Sequence, residues 1–102
     1  GAPGPIPLPN IELTVEEVRR GRLPVEKQLQ LEESLRLAIM AAEPNASQAA
    51  SLIGQAMRWL MRRAADPVLV DFVRYYYHEV KALHMAGKSS EVLQLLKEEL
   101  ST

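Results

Sequence analysis

From residue 13 onward the start and stop signals in this chain are helix signals. Thr14-Val15-Glu16-Glu17 has capping-box form: the Thr14 hydroxyl can accept from a first-turn N–H while the Glu17 carboxylate reaches back to the cap. Arg19 and Arg20 suit the negative end of the helix dipole, and Gly21 suits a left-handed stop. Pro24 fits the first position of a second helix, with Glu26 in its first turn. Glu43-Pro44-Asn45 breaks that helix, and Asn45 or Ser47 caps a third. Asp66-Pro67 ends the third helix and starts the fourth, with Asp66 as N-cap and Pro67 behind it. Gly87 stops the fourth, and Ser89 or Ser90 caps a fifth. Val68-Leu69-Val70, the only β-branched cluster of note, directly follows a helix start, so it makes no strand.

These signals predict an all-α fold, a bundle or orthogonal array of five helices at about 14–20, 24–42, 46–65, 67–86 and 90–100. Hydrophobic spacing agrees. Leu31, Leu35, Ala38 and Ala42 form a core stripe with Ile39 beside them; Ile53, Met57, Leu60 and Ala64 form another with Ala49 and Ala56. Leu69, Val73, Tyr76, Val80 and Leu83 follow on the fourth helix with Phe72 alongside, and Val92, Leu93, Leu96 and Leu100 on the fifth. Because Trp59, Phe72 and Tyr75 to Tyr77 are the only aromatics, the densest packing is expected between the third and fourth helices. Val25, Leu29 and Met40 lie about 100–160° away from the second helix's core stripe. That helix is therefore central in the bundle, or its second face meets a partner.

Residues 1–12 cannot follow this pattern. Pro3, Pro5, Pro7 and Pro9 remove backbone donors and restrict the residue before each, which leaves an extended, polyproline-like arm or linker. Ile6 and Leu8 within it could dock on a groove. Gly1-Ala2-Pro3-Gly4 reads as a processing or cloning remnant on a fragment of a longer protein. Residues 13–102 are expected to form one helical domain, in keeping with a chain of 102 residues.

Composition narrows the function classes. With no Cys the chain holds no disulfide, thiolate metal site or Cys nucleophile, and it suits a reducing intracellular compartment, cytoplasmic or nuclear. No run of about 18 apolar residues is present, so no membrane span is expected. No positive segment precedes an apolar one at the start, so no signal peptide is expected. The formal net charge of −1 argues against a protein built to coat nucleic acid. It conceals a pattern, though: residues 46–88 carry six basic and three acidic side chains, between ends that are each net acidic.

Motifs with chemical overtones resolve into helix punctuation. Residues 82–89 resemble a phosphate loop, but a helix rather than a strand leads in. His78 and His84 stand six apart, about 120° around a helix, so they cannot share a metal ion. His78 belongs to a polar face, and His84 to the flank of the core beside Tyr77. The Glu16/Glu17, Glu32/Glu33 and Glu98/Glu99 pairs each diverge by 100° and make no catalytic dyad. Ala82, Gly87, Glu91, Val92, Leu93 and Leu96 to Leu100 resemble the joint of a tetratricopeptide-type helical hairpin over about 20 residues. The Trp-Leu-Gly-Tyr opening and closing Pro of that repeat are absent, and one hairpin is not an array.

No enzyme, cofactor or metal is therefore expected. The sequence points to a protein–protein interaction or assembly domain, self-associating or binding an acidic or apolar segment. Its candidate contact residues are Val25, Leu29 and Met40, the Arg58, Arg62 and Arg63 cluster around Trp59, and Tyr75 as an exposed aromatic anchor. A rival reading is a nucleic-acid-binding domain that sets Arg58, Arg62, Arg63 and Arg74 on phosphates. A third is regulation through His84, by phosphotransfer or pH sensing.

Overall fold

The computed structural model describes residues 5–101 and contains five helices: α1 (Val15–Arg20), α2 (Val25–Ala42), α3 (Ala46–Arg63), α4 (Val70–Met85) and α5 (Ser89–Leu100). No strand occurs among the described residues. None of the helices is long and apolar enough to cross a membrane.

The predicted capping box forms. Thr14 Oγ1 accepts from the Glu17 N–H at 3.2 Å, and Glu17 Oε2 accepts from the Thr14 N–H at 2.8 Å. Since α1 buries no residue of its own, the Lys27 ammonium is what ties it down, 2.6 Å from the same carboxylate. That bond holds the Glu17 carboxyl below its usual range. Gly21 then turns with φ 65°, and its Cα lies so close to Pro67 that a Cβ there would overlap the Pro67 ring and backbone. Two residues on, the Leu23 N–H donates to the Ala64 carbonyl at 2.8 Å. The α1–α2 connection is thus fixed to the α3–α4 corner.

Three helix starts differ from expectation. Pro24 is the N-cap of α2 rather than its first helical residue: with ψ 144° it stays extended, while its carbonyl accepts the first helical bond from Gln28. Asp66 caps a turn, not α4. Its Oδ1 accepts from the Val68 N–H at 2.9 Å and its carbonyl from Leu69 and Val70, so the helix proper begins three residues after Pro67. Neither Ser89 nor Ser90 caps α5. Gly87, with φ 71°, donates to the His84 carbonyl and Lys88 to that of Leu83. These are the two bonds of a Schellman stop, and the residue completing it takes the cap position instead. Asn45 caps α3 as expected, accepting from Gln48 at 3.0 Å.

The core centres on α2, whose buried face packs against α3, α4 and α5. Leu31, Leu35, Ala38, Ile39 and Ala42 lie in it, with Ser34 buried among them by donating to the Gln30 carbonyl at 2.7 Å. The densest helix pairing is α2 with α3, not α3 with α4. The reason lies in the α3 face. Leu52 and Trp59 turn inward with Ala49, Ala56 and Leu60, while Ile53 and Met57 sit half-buried at the edge. On α4, Tyr77 and His84 join Val73, Tyr76 and Val80 inside, and Phe72 is 41% exposed.

Residues 5–14 have neither helix nor strand. Leu8 and Ile11 are nonetheless buried in the same core as the helices, while Ile6 is exposed. The remaining prolines of the arm, beginning at Pro5, are described; Pro3 lies outside the described residues. The radius of gyration, 13.4 Å, is that of one close-packed body of about this length.

The two left-handed glycines permit a clean comparison. Gly87→Ala meets no atom within 4 Å and should cost about 1–2 kcal/mol for its backbone conformation alone. Gly21→Ala carries the same conformational strain plus the overlap with Pro67, and should cost about 1–3 kcal/mol more in chemical denaturation.

Candidate functional site

The strongest exposed apolar feature follows from α2 having two apolar stripes and α3 having a climbing one. Val25, Leu29 and Met40 are respectively 72%, 58% and 59% exposed, so centrality in the bundle leaves the second stripe of α2 uncovered. On α3, Ile53, Met57 and Met61 are spaced four apart, and the stripe rises from half-buried to 62% exposed at Met61. Between the two helices lies an open groove of about 480 Å³, lined by Leu29, Glu32, Glu33 and Arg36 from α2 and by Ile53 and Met57 from α3. Its rim pairs Arg36 with Glu33 at 2.6 Å. Of the three α2 residues singled out in the sequence, the structure brings only Leu29 into this groove. Val25 and Met40 share its side of the helix but are separated along the axis by about 22 Å.

The arginine cluster divides. Arg58 and Arg62 are exposed and flank Met61. Arg63 turns inward. Its guanidinium lies 4.8 Å from the Trp59 ring centroid, with Nη2 4.0 Å from Glu99 of α5. Glu99 also accepts from Trp59 Nε1 at 3.2 Å. Trp59, Arg63 and Glu99 therefore form a polar knot between α3 and α5, set against the Trp59–Tyr76–Phe72 ring cluster. Arg74 pairs with Asp71 on its own helix at 2.9 Å. Tyr75 is 62% exposed on α4 and takes no part in the α2–α3 groove.

The histidines also separate. His78 is half-buried, whereas His84 is buried and its Nε2–H donates to the Ile6 carbonyl at 2.6 Å. Among the described residues no three His, Asp or Glu side chains come together as metal ligands would. Met61 was within reach of sequence reasoning, since it continues the Ile53–Met57 spacing by one step. The Trp59–Arg63–Glu99 knot was not, because its acid comes from a helix whose register against α3 no local pattern specifies.

Comparison with protein-family models, with curated proteins and with solved structures finds no match to this chain.

Two outcomes follow. Arg63→Ala should destabilise the fold by about 1–3 kcal/mol, through the lost ring contact and the lost link to Glu99, while Arg58→Ala and Arg62→Ala stay within about 0.5 kcal/mol; thermal and urea unfolding separate them. The buried Tyr76 hydroxyl has no hydrogen-bond partner, and burial, then Glu99 and Glu79, push its pKa above the ordinary 10.0. The folded chain keeps this proton where the unfolded chain has lost it. Stability from this group is therefore full below about pH 10 and declines above it. Tyr76→Phe should fold at least as stably at pH 7 and lose less stability between pH 10 and 11.

Proposed function

We propose that this chain is a non-enzymatic protein–protein interaction or assembly domain whose contact surface is the outer face of the α2–α3 pair. The observation that carries this reading is the uncovered apolar groove: Leu29, Ile53 and Met57 along its floor, Met61 and Val25 as further exposed apolar groups on the same two helices. Single exposed apolar residues are ordinary on a protein surface, but contiguous ones with a charged rim are characteristic of association sites. The charges suit a second copy of the chain. Glu32 and Glu33 stand on the α2 side, and Arg58 and Arg62 on the outer side of α3, so a two-fold pairing can set the cations of each copy against the carboxylates of the other. With Arg63 turned inward, two exposed arginines make a small cationic patch, a better fit to an acidic protein segment than to a nucleic-acid backbone. The Cys-free composition suits a reducing compartment.

Sedimentation velocity over a wide concentration range tests the reading. The wild-type chain should associate reversibly, and Leu29→Glu should return it to monomer without loss of helicity, whereas Tyr75→Ala on the far side of α4 leaves association unchanged. A strict monomer at millimolar concentration sinks the self-association part. Retention on RNA or DNA that falls steeply with salt would transfer the function to the arginines alone.

A further inference from the structure

The proline arm meets α4 in a regular way. Two buried side chains of α4 reach its backbone: Tyr77 Oη donates to the Pro9 carbonyl at 2.8 Å, and His84 Nε2 donates to the Ile6 carbonyl at 2.6 Å. The accepting carbonyls are three residues apart, which in an extended, polyproline-like segment is one turn and about 9 Å. The donors are seven residues apart, two turns of an α-helix and about 10.5 Å. The two rises nearly coincide, and the order is reversed, so the arm runs antiparallel to α4 with both bonds in step. The two buried arm side chains, Leu8 and Ile11, are also three apart. Both groove groups act as donors to the arm, offering partners to carbonyls rather than to N–H groups. A segment in which proline rings replace alternate N–H groups is matched to such a surface. Beside Pro5 the described residues border a gap of about 170 Å³ lined also by Ala42, His84, Gly87, Ser89 and Val92.

We infer that α4 and its neighbours form a binding site for an extended, proline-rich peptide segment, with the chain's own residues 5–12 as the resident ligand and the same arm of a second copy as the ligand that can replace it. The features read are two apolar side chains three apart and two carbonyls in the same period, taken up by Tyr77 and His84. The site is separate from the α2–α3 face, and neither depends on the other.

The test uses the full chain with a protease recognition sequence inserted after the exposed Glu12. Its fold is checked by circular dichroism, and it is cut after folding. The freed arm should stay bound through gel filtration and exchange with a fluorescent peptide of residues 5–14. Tyr77→Phe should weaken that peptide's binding roughly 5–10-fold, since one hydrogen bond is lost while the ring remains. A peptide with Leu8→Asp should not bind. Loss of the arm on cutting, with the labelled peptide failing to bind, overturns the inference whether or not the helices stay folded. If the insertion prevents folding, the full chain with Leu8→Ala has a weakened arm of its own and is titrated with the wild-type peptide. Saturable binding with altered Tyr77 and His84 ring resonances supports the site, and unchanged resonances at millimolar peptide reject it.

Discussion

The interior depends on one face of α2. Three other helices pack on a stripe whose middle is Ala38 and whose ends are leucine, isoleucine and alanine side chains. A small residue at the centre lets neighbouring helices approach closely, and the larger ones on either side fill the space that the approach leaves. Leu31, Leu35 and Ile39 are each at most 2% exposed, so each is fully enclosed by the elements packed on α2. A helix used this way can tolerate little rotation about its own axis. Turning it would expose the stripe and bury Val25, Leu29 and Met40, which have no space prepared for them. The exposed apolar residues of α2 are thus fixed in place by the buried ones.

Buried polar groups complete the arrangement, and several tie together parts of the chain that apolar contact alone would leave free to slide. Glu99 joins Trp59 and Arg63, setting α5 against α3. Tyr77 and His84 bond the arm to α4. The Leu23 N–H and Ala64 carbonyl join two connections. Hydrogen bonds of this kind add modest net stability, yet they strongly disfavour any register in which they are unmade. Tyr76 makes no such tie. Its ring belongs to the aromatic cluster, and its hydroxyl is carried into the interior without a partner.

Much of this architecture is legible in the sequence because helices announce themselves locally. The capping box at Thr14, the glycine stops at 21 and 87 and the breaks at Pro44 and Pro67 set five helices within a few residues of their observed ends. The errors have physical causes. Asp66 can cap a helix or a turn with the same carboxylate, and the choice depends on the corner to which Gly21 is packed. Arg63 reads as one of three exposed arginines, but the buried Trp59 ring and Glu99 of α5 draw it inward. Leu29 was legible as a contact candidate from its angle on α2. The groove beside it was not, because Ile53 and Met57 scan as core, while the packed α3 turns Leu52 and Trp59 inward and leaves Ile53 and Met57 at an edge. The reach of the arm into the core is likewise a long-range fact, since nothing local to Leu8 and Ile11 indicates Tyr77 and His84.

The docking of the arm has a consequence in time. Its contacts close loops of 68 and 78 residues, the longest separations among the side-chain hydrogen bonds described. The entropy of such closure grows only slowly with length, but no part of it is recovered until α4 exists. In synthesis the arm precedes the side chains that receive it by 68 and 78 residues. Leu8 and Ile11 therefore wait in water until α4 has been made, kept from helix and from inner strands by the prolines around them. Those prolines keep the segment from premature partners until its place in the core is built.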